Sequence, residues 1–415
     1  MSTLALITGM IVVSVAPPVG SAQEVIEAPG VETPILGPPN LLSSFHDSLR
    51  RTEKGKGKTR ILVFGASHTA ADLLTGKMRK LLQTRFGDGG HGFLMPARPW
   101  RSYRREGIVW EGPKTRWARW HWDYARLKPR CHDDGLYGLA GMSVMASNKR
   151  RWDRFRTRER GSKASYFELI YAKQQKGGDL YLRIDGGIRR RIKTRGNGGF
   201  GVWKSQLKLG SHSFEIRPKG NGNVRLYGAV VERRKSGVVV DTLGINGARA
   251  MQMLRWNETL WSKLVAHRDP ALIILAYGTN EAGDTSEDIS IYQSQLKKVL
   301  ARVRKAAPNA SCVLVGPSDR PLVNKDTGDR SLISFSKRPR TALIIETQKR
   351  LSAEAGCGFW DMVTATGGPF SIVSWADHEP RYAWTDYVHL TSRGYRRLAG
   401  IFTTALLQGY TSTEE

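Results

Sequence analysis

The run Arg60-Ile61-Leu62-Val63-Phe64 leads into Gly65-Ala66-Ser67-His68-Thr69, and the fold of the chain turns on how this stretch is read. A short apolar run reads as a strand buried on both faces. Behind the turn, Asp72 to Phe86 carries Leu73, Leu74, Met78, Leu81 and Leu82 at helical spacing. The stretch is therefore a strand, a sharp turn and a helix. The same texture returns after Val238. Val238–Leu243, Ala271–Tyr277, Cys312–Gly316 and Gly358–Met362 are short apolar runs. Helical patterns at Met251–Val265, Ile291–Ala307 and Thr341–Ala355 separate them. Strands alternating with amphipathic helices predict an α/β fold, a parallel sheet between two helical layers.

From about Arg98 to Gly237 the pattern differs. Short β-branched or alternating runs dominate: Leu136–Met145, Tyr166–Ala172, Leu180–Ile184, Gly201–Leu209, Ser213–Arg217 and Val224–Val231. Glycine and asparagine turns such as Lys219-Gly220-Asn221-Gly222-Asn223 separate them. This predicts a β-sandwich, residues 98–237, interrupting a discontinuous α/β domain of residues 56–97 and 238–410. The insert holds basic clusters at Arg101/Arg104/Arg105, Arg150/Arg151/Arg154 and Arg189/Arg190/Arg191. Its tryptophans Trp110, Trp117, Trp120, Trp122 and Trp203 offer faces for sugar rings, although most are expected in the core.

At the N-terminus, apolar Leu4–Ala16 precedes Pro17-Pro18 and Gly20-Ser21-Ala22-Gln23. The pattern predicts a signal peptide or anchor over residues 1–22, although no Lys or Arg precedes the apolar run. Residues 23–55 read as a linker. No other apolar run reaches a membrane-spanning length, which excludes a polytopic membrane protein. Of 415 residues, 65 are Lys or Arg and 37 are Asp or Glu, a net charge of +28, so the surface attracts polyanions. Three cysteines (Cys131, Cys312, Cys357) are too few for a disulfide scaffold. At most one bridge forms, and the apolar contexts of Cys312 and Cys357 read as buried free thiols.

Several residues at predicted strand ends carry chemistry. A serine at a strand-to-helix turn exposes its hydroxyl at the carboxyl edge of the sheet. It also serves simply as a helix N-cap. Asp386-Tyr387-Val388-His389 lets one loop present a carboxylate and an imidazole to one point. Gly244-Ile245-Asn246-Gly247 and Gly278-Thr279-Asn280-Glu281 follow two other strands. In a parallel sheet all such ends line the ligand-binding edge. The run Gly87–Gly92 follows a helix, so it is no dinucleotide fingerprint and reads as a turn beside the site. His121, Cys131, His132, Asp133 and Asp134 match no zinc spacing, and no metal or other cofactor is expected. His68 competes as a base, but neighbours on a turn rarely aim at one point.

Together and in this order the four segments resemble the SGNH (GDSL-like) hydrolase family. The resemblance covers about Arg60–Pro96 and Val238–Leu407. It implies a three-layer α/β/α domain with nucleophile Ser67, base His389 and orienting Asp386. It also implies an oxyanion hole of Ser67 N–H, Gly247 N–H and the Asn280 amide. Ala66 departs from the family's Asp before the serine. The layout is similar to that of bacterial peptidoglycan O-acetylesterases, in which a carbohydrate-binding β-module interrupts the catalytic domain.

The expectation is an exported, periplasmic or envelope serine esterase removing O-acetyl groups from a glycan. Its partner is an acylated, anionic polysaccharide or peptidoglycan, held in part by Arg189, Arg190 and Arg191. A glycan O-acyltransferase of the same fold, or a basic glycan-binding protein without activity, are the alternatives. No nucleic-acid motif is present.

Overall fold

A computed structural model describes residues 28–100, 103–112, 121–124, 134–158, 163–324 and 333–412. The expected signal segment, Arg101, Trp117, Trp120, Cys131, His132 and Asp133 lie outside them, as do the side chains of His121 and Trp122.

Among the described residues, five parallel strands form the central sheet: β1 (Lys58–Gly65), β2 (Gly237–Gly244), β3 (Leu272–Ala276), β4 (Ser311–Val315) and β5 (Gly358–Trp360). Their spatial order is β2-β1-β3-β4-β5. Alternate residues of each strand enter two different cores, as the two-residue period of a strand requires. Ile61, Val63, Ile274 and Val313 join Phe45, Leu49, Met78, Leu82, Leu398 and Phe402 on one face. Leu62, Phe64, Ile273 and Leu314 join Trp261, Leu264, Leu296, Leu300, Ile344 and Leu351 on the other. Helices Ser43–Glu53, Leu74–Phe86 and Ser392–Leu406 thus cover one face. Helices Glu258–Arg268, Ile289–Ala306 and Pro339–Glu354 cover the other. This is the expected α/β/α layering.

Among the described residues between β1 and β2 in the chain, two antiparallel sheets arise. One has the order 200–210, 164–172, 224–232, 142–146, 121–124, and Gly90–Leu94 also pairs with 224–232. The other has the order 108–111, 153–157, 213–218, 179–184, 190–193. Phe155 and Phe214 of the second sheet meet Phe167 of the first, with Phe167 and Phe214 stacked at 4.2 Å, so the sheets face each other. The antiparallel region begins at Gly90 rather than at residue 98, because this glycine-rich strand pairs with 224–232.

Several boundaries shift for local reasons. The expected linker over 23–55 contains a helix at Ser43–Glu53, whose Phe45 and Leu49 are fully buried. The helix expected from Asp72 starts at Leu74, because Asp72 adopts a left-handed φ of 53°. The helix expected over Met251–Val265 divides into a 3₁₀ turn, Ala250–Arg255, and a helix, Glu258–Arg268. Asn257 divides them by capping Leu260 N at 2.9 Å. Only Met142–Ala146 of the expected strand 136–145 is extended, since Gly138 and Gly141 turn the chain at positive φ.

The free-thiol reading of Cys312 and Cys357 is overturned, because the two form a disulfide joining β4 to the start of β5. The bridge closes a loop of 45 residues. Loop-closure entropy assigns it about 4 kcal/mol. Replacing both cysteines by alanine is therefore expected to shift urea unfolding by about that amount, and a change below about 1 kcal/mol removes this account.

A buried ion network joins the antiparallel region to the parallel sheet. Arg268 donates to Asp241 Oδ2 at 2.7 Å and to Glu232 Oε1 at 2.7 Å, and Arg60 and Lys58 also reach Glu232. Burial alone raises the Glu232 carboxyl, but the positive charges of Arg268, Arg60 and Lys58 override it and hold it at about 2. A depressed folded value contributes stability that is complete above the ordinary carboxylate range and lost as pH falls through about 2. Stability is expected to fall on acidification below about pH 4.5, and Glu232→Gln to flatten that slope. An unchanged slope in urea titrations excludes Glu232 as its source.

Candidate active site

The carboxyl ends of the strands gather the chemistry. Gly65 of β1 is in register with Gly244 of β2 and with Ala276 of β3. A Cβ on Gly65 would lie 2.2 Å from Thr69 Oγ1 and 2.8 Å from Ala276 O. Only glycine permits the turn that seats Ser67 as the first residue of the short helix Ser67–Ala70. The order β2-β1-β3 makes the β1/β3 boundary the point where the connections reverse direction, where α/β sheets open a ligand crevice.

The loop before helix Ser392–Leu406 supplies the partners. Asp386 Oδ1 accepts from Val388 N at 3.0 Å and from His389 N at 2.9 Å, which curls the loop around its own carboxylate. Asp386 Oδ2 meets His389 Nδ1 at 2.7 Å, and His389 Nε2 meets Ser67 Oγ at 2.9 Å. The structure thus joins Ser67, His389 and Asp386 in one hydrogen-bonded line across 322 residues of chain. Burial raises the Asp386 carboxyl, but its hydrogen bonds from His389 and Val388 prevail and hold it below the ordinary carboxylate range. Side-chain exposures of 41% for His389 and 49% for Asp386 leave the pair open to water. Thr391 accepts from Gly394 N at 3.3 Å and caps the following helix, so the loop is both a cap and a candidate site.

His68 is not a rival base. Its Nδ1 meets Tyr395 OH at 2.9 Å and its Nε2 meets Ser318 Oγ at 3.3 Å, so both nitrogens are engaged away from Ser67. Burial, with the neighbouring His389, holds it down at about 3 and therefore neutral.

Gly247 and Asn280 sit on two braced loops at the same edge. Gly247 has a φ of 72° with open space around it. The Asn280 side-chain amide donates to Ala248 O at 2.9 Å, leaving its second N–H for another acceptor. Glu281 accepts from Ala250 N at 2.8 Å and from Gly278 N at 3.0 Å, bridging the two loops. Thr279 Oγ1 accepts from Ser318 N at 3.0 Å. Sequence reading assigned no role to Glu281, Thr279, Ser318 or Tyr395. Only the position of Glu281 beside Asn280 marked it.

Other expected residues lie elsewhere. Arg189, Arg190 and Arg191 are exposed around strand 190–193, an edge strand of the second antiparallel sheet among the described residues. Arg191 is engaged by Asp179 Oδ2 at 2.6 Å. Arg105, expected in a surface cluster, is buried and donates to Ala70 O and Thr242 O, fastening the helix after Ser67 to β2. Trp110 is core and donates to Met95 O, and Trp203 packs against Phe167. The Gly87–Gly92 run is not beside the site, since Asp88 bridges to Val238 at the opposite end of β2.

Residues 209–397 match the GDSL-like Lipase/Acylhydrolase family. The match holds Gly247, Asn280, Asp386 and His389, while Ser67 precedes it. A solved peptidoglycan O-acetylesterase superposes with a TM-score of 0.72 at 24% identity, covering 88% of this chain and 96% of that one. A family two carbohydrate esterase from Clostridium thermocellum, in complex with cellohexaose, gives a TM-score of 0.29 at 10% identity, covering 65% and 96%. No curated protein matches the chain. In its sequence over residues 209–397 and in its α/β/α fold, the chain is similar to GDSL-like acylhydrolases.

Proposed function

We propose that this protein is an exported serine esterase that removes O-acetyl groups from a cell-envelope glycan such as peptidoglycan through an acyl-enzyme. The observation that carries the reading is the line Ser67 Oγ–His389 Nε2 at 2.9 Å and His389 Nδ1–Asp386 Oδ2 at 2.7 Å. Ser67 attacks the ester carbonyl as His389 takes its proton, and Asp386 holds the imidazole tautomer and stabilises the imidazolium. Ser67 N–H, Gly247 N–H and the free Asn280 N–H receive the oxyanion. His389 then protonates the departing sugar oxygen and next activates water to release acetate.

The glycan substrate is supported by the solved peptidoglycan O-acetylesterase, whose fold matches over most of both chains. Export is supported by the apolar N-terminal segment and by the Cys312–Cys357 disulfide, since such bridges persist in oxidising compartments. Among the described residues, no helix is long and apolar enough to cross a membrane. Arg189 and Arg190 contribute long-range attraction for an anionic polymer.

The test is acetate release from O-acetylated peptidoglycan, with the same material stripped of its esters by base as control. Acetate from the first substrate alone is expected. No release from peptidoglycan or from other acetylated glycans removes the proposal.

Asp386→Asn is expected to lower kcat through the wrong His389 tautomer. A buried triad aspartate gives about 10⁴. Here water reaches both side chains and substitutes in part, so a loss on the order of 10² is expected. Activity is expected to fall toward acidic pH, because a protonated imidazole cannot accept the serine proton. His68, neutral down to about 3, does not contribute to that limb. Activity that does not fall on acidification of the folded protein excludes a histidine base.

A further inference from the structure

Residues 316–324 and 333–338, between β4 and helix Pro339–Glu354, meet the loops of the site. Arg320 donates from Nη1 to Thr279 O at 3.0 Å, beside Asn280. The hairpin Leu322–Asn324/Ser334–Ser336 follows, and its Phe335 ring meets Tyr387, next to Asp386, edge-on at 4.8 Å. Arg338 then donates from Nε to Arg320 O at 3.1 Å. The half-buried Arg338 guanidinium is thus held on the backbone of Arg320, whose own half-buried guanidinium is held on the Asn280 loop, while Phe335 meets the Asp386–His389 loop.

Among the described residues neither arginine forms an ion pair. Two acids that follow Asn280 in the chain are paired with other arginines. Glu287 pairs with Arg340, and Asp284 pairs with Arg249. Asp319, next to Arg320 in sequence, makes no ion pair among the described residues; burial raises its carboxyl, and its Oδ2 is buried without a hydrogen-bond partner. Burial lowers the Arg338 guanidinium, and the charge of Arg320 adds to that, with no carboxylate acting against them. Arg338 also stands at the N-terminus of a 16-residue helix that has no acid in its first turn and no side-chain cap. The positive end of that helix adds to the local potential. Like charges held together without a counter-ion are unfavourable, and an arriving anion relieves them.

We propose that Arg320 and Arg338 form a carboxylate-binding subsite that seats an acidic group of the glycan beside the scissile ester. The inference rests on the esterase reading above and narrows its substrate class to glycans bearing a carboxylate near the ester. The carboxylate belongs either to an acidic sugar ring or to a peptide substituent. Two planar forks suit this ligand, since each presents paired N–H donors to a carboxylate. The subsite also differs from the exposed arginines at 189–191, because it adjoins the oxyanion loop and can fix the orientation of a single sugar.

The test begins with binding to the full chain, by calorimetry at low salt. D-glucuronate serves as the sugar carboxylate, N-acetyl-D-alanine as the peptide carboxylate and D-glucose as the neutral control. One carboxylate or the other is expected to bind, identifying the source, with affinity reduced about tenfold in Arg338→Gln. Arg338→Lys, which keeps the charge but not the fork, is expected to recover part of it. The second arm compares kcat/KM on acetylated peptidoglycan with that on acetylated xylan, a neutral glycan. Arg338→Gln is expected to lower this ratio about tenfold, mainly through KM. Absence of carboxylate binding to the wild type, equal binding to the variant, or an unchanged ratio overturns the subsite. Wild-type protein that binds carboxylate through Arg338 but releases no acetate from any glycan leaves the subsite standing and removes the esterase reading instead.

Discussion

Ser67→Ala is expected to abolish ester turnover, with a loss of kcat on the order of 10⁶, while the protein stays folded. That magnitude is what removing a triad serine costs when nucleophile, base and orienting group act as a unit. The structure supports the unit, since Ser67 Oγ is the hydrogen-bond partner of His389 Nε2, and His389 Nδ1 is held by Asp386. Fold stability is a separate matter. Ser67 is the first residue of a four-residue helix and makes no side-chain cap, and alanine fits a helical first turn. Thermal unfolding is expected to move little. Purified Ser67→Ala protein that unfolds like the wild type and still turns over p-nitrophenyl acetate at a comparable rate removes Ser67 as nucleophile. An active-site serine probe provides the complementary reading, labelling the wild type and not the variant.

Asn280→Ala is expected to lower kcat on the order of 10²–10³ with little change in KM, because an oxyanion donor acts on charge present only in the transition state. The structure adds a reason for the upper end of that range. The same amide donates to Ala248 O, so alanine removes a donor and also loosens the loop that carries Gly247. Glu281 still bridges Ala250 N and Gly278 N, which keeps the two loops together and the protein folded. A raised KM with kcat preserved reassigns Asn280 to substrate binding.

Taken singly, Ser67 at a strand-to-helix turn and Asp386-x-x-His389 each have an ordinary structural explanation. In the structure Ser67 makes no side-chain cap, whereas the late loop holds a helix cap beside the histidine that meets Ser67. Thr391 caps its helix while His389, two residues earlier, reaches Ser67. The consequence for measurement is that a loss of activity in the late loop has to be read beside a melting curve.

The sequence by itself determined the alternation of apolar strands and amphipathic helices, the interruption between β1 and β2, and the residues at each strand end. These features are local: a two-residue or 3.6-residue period, a glycine at a turn, an acid three residues before a histidine. Contacts between distant residues have no such signature, and the tertiary structure alone decided them. It paired Cys312 with Cys357 because β4 and β5 are neighbours in the sheet. It engaged both nitrogens of His68 with Tyr395 and Ser318, from helix Ser392–Leu406 and the loop after β4. It buried Arg105, whose neighbours in sequence had read as a surface cluster, because the carbonyls of Ala70 and Thr242 lie within its reach. It also set Arg320 against the Asn280 loop and Arg338 against Arg320. A charge run is visible in sequence, whereas two isolated arginines become a pair only when a hairpin folds back between them.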